Sequence, residues 1–205
     1  MALFSLSGTS GTVDMSPNAA TTAASSNVTF APGPFGNLNG SFFFKGEESS
    51  YVELKNTGEL DTRFSIGVFA WVHLQNSSGP IYKHDPEYYG FSLRIVHPTL
   101  GVRVRYMERK TLKSYLLYKK NFLEADSWNF IGTTYDFHTG LATIFVNNNT
   151  VTRKAIKAKM ELATDSNVRI GATRKKNIYL LGRISCLQVY DQALSFDQII
   201  KIKAR

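Results

Sequence analysis

A chain of 205 residues that is 43% hydrophobic and only 20% charged has ample material for a packed core, which excludes a disordered chain. No stretch approaches the roughly 18 consecutive apolar residues of a membrane-spanning helix, and four isolated histidines with one cysteine do not offer the ligand spacing of a transition-metal site. The formal charge of +8 is uneven: residues 1–100 carry 5 Lys/Arg against 8 Asp/Glu, whereas residues 101–176 carry 15 against 6, which points to an acidic partner such as sulfated glycan, nucleic acid or anionic lipid.

Residues 2–6 read as a short first strand. They lack the basic flank and apolar length of a signal peptide, so either the sequence begins after a leader or the protein is intracellular. Residues 8–26 are rich in Gly, Ser, Thr, Ala and Asn and predict a long surface loop within 7–40. Short segments dense in Val, Ile, Phe, Tyr and Thr follow at 41–45, 50–54, 64–74, 88–96, 100–107, 112–118, 128–136, 141–147, 167–172 and 178–190. Turn residues separate nearly all of them. The segment 64–74 is apolar on both parities, as a central strand covered on both faces would be. In Val102-Arg103-Val104-Arg105-Tyr106 the alternation is strict, so a strand buries the apolar residues and places Arg103 and Arg105 together on the other face. Asn147, Asn148 and Asn149 tolerate the left-handed region and suit a tight hairpin.

Cys186 cannot form an internal disulfide and sits in an apolar run, where a buried, inert thiol is expected. Near the C-terminus, Ser195-Phe196-Asp197-Gln198 has the Ser-x-x-Gln spacing of a capping box ahead of Ile199, Ile200 and Ile202. About ten strands, no alternation of strands with helices and one terminal helical turn predict an all-β fold. Its form is an antiparallel two-sheet sandwich or jelly roll, a single domain over 1–205.

Several motifs carry a family resemblance. Phe35-Gly36-Asn37-Leu38-Asn39-Gly40, Ser50-Tyr51-Val52-Glu53-Leu54 and Phe64-Ser65-Ile66-Gly67-Val68-Phe69-Ala70-Trp71 resemble the front half of laminin G-like or pentraxin-like domains of the concanavalin A-like lectin/glucanase superfamily. Trp128-Asn129-Phe130-Ile131, Val168-Arg169-Ile170-Gly171, Leu181-Gly182-Arg183-Ile184 and Val189-Tyr190-Asp191-Gln192-Ala193-Leu194 are similar to the back half. The resemblance implies a jelly roll of two curved sheets, found mostly outside cells as a carbohydrate-, matrix- or cell-surface-binding module. Fold alone does not give a ligand. Trp71 and Trp128 are expected in the core, and the glycines at 40, 46, 140, 171 and 182 at turns and close backbone approaches.

The same resemblance bears on calcium. Pentraxin-like relatives hold it at a rim formed by two loops. Here one rim loop offers Lys83-His84-Asp85-Pro86-Glu87, while Arg174, Lys175 and Lys176 occupy the loop that should be acidic. A calcium ion needs six to eight oxygens, so the rim site is expected to be lost and no cofactor is expected, with a structural calcium between Asp14 and Asp191 left open by analogy with some relatives.

Glycoside hydrolysis requires two carboxylates held in fixed geometry, and the close acid pairs Glu47/Glu48, Glu59/Asp61 and Asp85/Glu87 fall at turns. A non-enzyme is expected. The leading reading is a glycan-binding or adhesive module for anionic saccharide. Arg103, Arg105, Lys113 and Tyr115 would share one sheet face if 100–107 and 112–118 pair through 107–111. Arg174, Lys175 and Lys176 form a second, favoured cluster, because loops at sandwich ends often bind. The alternative is a protein-interaction or structural domain of a larger extracellular or receptor chain; nucleic acid lacks a recognisable reading motif. Asn27, Asn39, Asn76 and Asn148 head glycosylation sequons and favour an extracellular glycoprotein.

Overall fold

Alternation of apolar and polar residues decides which face each strand buries. The computed structural model describes residues 1–17, 23–75, 77–85, 89–174 and 177–203. Its strands are β1 (Ala2–Phe4), β2 (Ala23–Ser26), β3 (Val28–Ala31), β4 (Ser41–Lys45), β5 (Tyr51–Leu54), β6 (Ile66–Leu74), β7 (Gly79–His84), β8 (Ser92–Val96), β9 (Gly101–Met107), β10 (Ser114–Lys119), β11 (Trp128–Tyr135), β12 (Leu141–Val146), β13 (Asn149–Ala155), β14 (Val168–Ile170) and β15 (Leu181–Tyr190). One helix, α1 (Phe196–Lys203), closes the chain. The first sheet runs β13-β12-β11-β6-β15-β4-β3 with β1 also paired to β15, and the second runs β10-β9-β8-β7-β14-β5-β2. Pairing within each is antiparallel, giving the expected jelly-roll sandwich.

β6 is the middle of the first sheet, between β11 and β15. Ile66, Val68, Ala70 and Val72 point into the main core between the sheets. Phe69 points the other way into a second cluster with Phe130, Phe145, Tyr190, Leu194, Ile199 and Ile202, which α1 covers. The helix is seated by the capping box anticipated from sequence: the Gln198 amide donates to Ser195 Oγ at 3.3 Å and the Ser195 amide donates to Gln198 Oε1 at 2.8 Å. Burying Ile199 and Ile202 is worth about 1.5–3 kcal/mol each, enough to hold a helix too short to persist alone.

The structure departs from the sequence reading in four strands, β2, β3, β7 and β13. Within 7–40, β2 and β3 pair with β5 and β4 respectively, so the small residues of β2 and the Val-Thr-Phe-Ala of β3 add edge strands to both sheets. β7 carries Pro80, Lys83 and His84, which hid it from a scan for apolar runs. β13 reads Asn-Thr-Val-Thr-Arg-Lys-Ala and is an exposed edge strand whose polarity suits that place. The hairpin before it turns at Asn147, whose φ is 55°. Trp71 is half-buried under α1 and donates from Nε1 to the Lys203 carbonyl at 3.3 Å. Trp128 is half-buried outside the main core and meets His73 edge-on at 5.5 Å. Cys186 is half-buried, has a φ of 51° and lies in the irregular pairing of β15 with β6; burial raises its thiol pKa.

The β9–β10 register sets the parity of the surface. Tyr115 faces Tyr106, Leu116 faces Arg105 and Tyr118 faces Arg103, so Tyr115 packs against the main core while Leu116 is 47% exposed. Tyr115→Ser is therefore expected to lower unfolding free energy by about 1–2 kcal/mol and Leu116→Ser by less than about 0.5 kcal/mol. Urea denaturation of both variants checks the assignment, and the reverse ranking would refute the register.

His84 is fully buried, its Nδ1 lies 2.9 Å from the Ser166 carbonyl, and burial lowers its pKa from 6.5 to about 4. Above pH 6.5 the ring is neutral in both folded and unfolded chains. As pH falls from there, the unfolded chain takes up a proton that the folded chain refuses, so stability drops. Between pH 7 and 5 the loss attributable to His84 is roughly 2 kcal/mol. Chemical denaturation across this range should show the slope, and His84→Leu should flatten it.

Candidate functional site

Because α1 lies on the outer face of the first sheet, the outer face of the second is where polar side chains gather. β8 and β9 share one pattern: Leu93, Ile95, Val102 and Val104 point into the core, which turns Arg94, Arg103 and Arg105 outward. Arg94 stands directly across from Arg103, and Arg105 across from Ser92. These side chains line an open groove of about 380 Å³ together with Pro80, Lys83, Ser114, Leu116, Thr173 and Ile178. No Asp or Glu is among the described residues lining it.

Like charges directly opposite on paired strands repel, and this pair is no exception. Burial, followed by the charges of Arg103 and Arg105, holds the Arg94 guanidinium below its usual pKa. Among the described residues, no carboxylate lies within ion-pair distance of Arg94 or Arg103. Arg105 donates from Nη2 to the Tyr89 carbonyl at 3.2 Å. A concave patch of guanidiniums with hydroxyls and a few apolar groups can take an anionic group by charge-assisted hydrogen bonds.

The neighbouring cations are differently placed. Arg174 hydrogen-bonds Asp85 through Nε and Glu53 through Nη2, the latter at 2.8 Å, and the bond to Asp85 raises its pKa. Arg169 lies 3.9 Å from Glu53 and stacks 3.8 Å from the Tyr51 ring centroid. Lys83 Nζ is 3.9 Å from Asp85. This network joins β5, β7, β14 and the loop after β14, and it spends Arg174 on the scaffold.

Of the residues singled out from sequence, Arg103 and Arg105 enter the groove together. Lys113 and Tyr115 do not share their face: Tyr115 turns inward, and Lys113 lies in the turn before β10 with Nζ 5.4 Å from the Tyr115 ring centroid. Leu116 and Tyr118 take the outward places beside the arginines. Arg174 is on the rim in the ion-pair network, while Lys175 and Lys176 lie outside the described residues. Arg94 was missed, although Ser92-Leu93-Arg94-Ile95-Val96 has the same alternation that revealed Arg103 and Arg105.

Asp14 is buried and accepts the Leu3 and Ser16 amides, each at 3.0 Å, so its carboxylate serves the backbone. Asp191 is exposed, and no group of three or more His, Cys, Asp or Glu suited to a metal occurs among the described residues. Glu47, Glu48 and Glu59 are exposed, and Asp61 is held by Arg109 and Thr164; Glu87 lies outside the described residues. Asn27, Asn39 and Asn148 are exposed, and Asn76 falls outside the described residues.

The fold is shared with solved binding domains. It resembles the binding domain of Paraclostridial Mosquitocidal Protein 1 with a TM-score of 0.79 at 14% identity, over 99% of this chain and 52% of that one. The botulinum neurotoxin serotype D ligand binding domain, solved in complex with N-acetylneuraminic acid, gives 0.78 at 13% identity over 100% and 50%. The botulinum neurotoxin serotype G binding domain gives 0.76 at 14% identity over 98% and 50%. This chain thus spans about half the length of each, and at such identities the likeness is one of fold. No curated protein matches the sequence. Residues 45–200, well over half of the chain, match the family model Laminin_G_3, and the chain belongs to this family of the concanavalin A-like lectin/glucanases superfamily.

Proposed function

We propose that this chain is a non-catalytic, extracellular glycan-binding module, and that its ligand is an anionic saccharide seated in the groove of Arg94, Arg103 and Arg105. The observation that carries the reading is the direct Arg94–Arg103 pairing. It places two cations where a fold would gain from one of either sign, and an anionic ligand relieves the repulsion. The complex of a structurally similar domain with N-acetylneuraminic acid, a carboxylated sugar, supports the same ligand chemistry. The exposed sequon asparagines Asn27, Asn39 and Asn148 suit an extracellular setting. The reading needs neither cofactor nor calcium: the rim cation Arg174 occupies Asp85, and the groove supplies its own positive charge.

Binding to heparin-derived oligosaccharide should weaken steeply with salt, as screening and counterion release require. Arg94→Gln/Arg103→Gln should lower affinity by at least about tenfold while leaving the fold as stable as the parent or slightly more so, since a like-charge contact is removed. Arg153→Gln/Lys154→Gln makes the same change in net charge on the exposed edge strand β13 and should lose less than about threefold. Titration calorimetry and thermal melts read both quantities. Equal losses in the two variants would mean general electrostatics, and no binding by the parent would favour a protein-interaction domain.

Chelation by EDTA should leave the parent's affinity unchanged, and incubation with β-glucans should release no reducing sugar. Restoration of a lost affinity by added calcium, or sugar release abolished by changing one Asp or Glu, would overturn the corresponding part of the proposal.

A further inference from the structure

The arginines alone would accept any polyanion, so what distinguishes ligands must lie beside them. Tyr118 faces Arg103 across the β9–β10 pairing, and Leu116 faces Arg105. Tyr118 is 38% exposed, and its ring is held at two places. Its hydroxyl is 2.5 Å from Thr99 Oγ1, which in turn donates to the Val96 carbonyl at 3.1 Å. Its edge lies against Gly101, where a Cβ would stand 2.9 Å from Cε2 and 2.7 Å from the Lys119 carbonyl oxygen. Gly101 does not occupy the left-handed region, so space rather than backbone conformation asks for glycine here. Lys120 Nζ sits 5.8 Å from the ring centroid.

A large aromatic ring, fixed in place and left open beside guanidiniums, is a preorganised stacking surface. Directly opposed residues on paired strands have Cβ atoms about 5 Å apart, roughly the width of one sugar ring. We infer that Tyr118 is the platform on which the apolar C–H face of a pyranose stacks while Arg94 and Arg103 hold its anionic group, so that the groove selects anionic saccharides from among polyanions. The inference rests on the groove being a glycan site and adds to it what makes it one. Single-stranded nucleic acid also stacks on aromatics, but such sites carry successive rings for successive bases. Here Tyr118 stands beside the groove, across from Arg103, and the apolar groups that line the groove itself are Leu116, Pro80 and Ile178, which are aliphatic.

The test compares three probes on the full chain at low ionic strength: a heparin-derived oligosaccharide, inorganic tripolyphosphate and oligothymidylate. Tyr118→Ala should weaken oligosaccharide binding by about tenfold and tripolyphosphate binding by less than about twofold. Tyr118→Phe, which keeps the ring and loses the Thr99 contact, should stay within about threefold of the parent for the oligosaccharide. Thermal melts establish that both variants fold, as the exposure of the ring leads one to expect. Equal losses for oligosaccharide and tripolyphosphate, no loss for either, or tightest binding and greatest loss for oligothymidylate would each overturn the platform. A parent that binds no saccharide removes the glycan reading of the groove as well, whereas a parent that binds and is unaffected by Tyr118→Ala removes only the role of the ring.

Discussion

Burial of β6 on both faces is the constraint from which the rest of the structure follows. Its inward residues Ile66, Val68, Ala70 and Val72 demand a second sheet, and its outward Phe69 and Trp71 demand a further cover. The short helix α1 supplies that cover with Ile199 and Ile202. The two sheets are thereby made unequal: one outer face is committed to packing, and the other is left to polar side chains. The groove exists on the second sheet because the first is already occupied.

Within that second face, cations divide by what they do for the fold. Arg169, Arg174 and Lys83 lie within reach of Glu53 or Asp85 and tie together β5, β7, β14 and the following loop. Such pairs at a partly exposed rim add modestly to stability, and their chief effect is to fix the loop that carries Thr173 at the groove's side. Arg94 and Arg103 are placed against each other instead, at a position where exchange for a neutral polar residue would relieve the sheet. Among the described residues, no carboxylate within ion-pair distance offsets this contact.

How far the sequence could be read is clearest at β9 and β10. Strict alternation in Val102-Arg103-Val104-Arg105-Tyr106 identified both outward arginines, because the faces of a single strand need nothing but its period. The partner strand needs a register, and the register depends on the turn. A turn confined to 107–111 would set Tyr106 opposite Leu112, whereas the chain turns over 108–113 with Leu112 at a φ of 58° and sets Tyr106 opposite Tyr115. The difference is odd in residue number, and any odd shift exchanges the two faces of a strand. Tyr115 therefore went to the core and Tyr118 to the surface. The central strand β6, the capped helix and the asparagine turn were legible for the opposite reason: each is specified by residues adjacent in the chain. β2 and β13 were not, since edge strands need no apolar run and polar residues serve there to limit pairing with other chains, and β3, Val-Thr-Phe-Ala, is only four residues long.

The charge map shows why counting along a sequence misplaces a binding surface. The excess of Lys and Arg in residues 101–176 suggested one basic region, but the topology disperses it. Arg109 pairs with Asp61, Lys157 with Glu108 at 2.5 Å, Arg169 and Arg174 with Glu53, while Arg153 and Lys154 lie on the exposed edge strand β13. Among the described residues, Arg103 and Arg105 are the cations of that segment that line the groove, and the residue set against Arg103 comes from the net acidic first half of the chain. Electrostatic potential depends on neighbours in space, and in an antiparallel sheet these are cross-strand partners. Arg94, from the acidic half of the sequence, is thus set by one strand pairing against Arg103, and with Lys83 from the same half it adds to the positive charge that lines this groove.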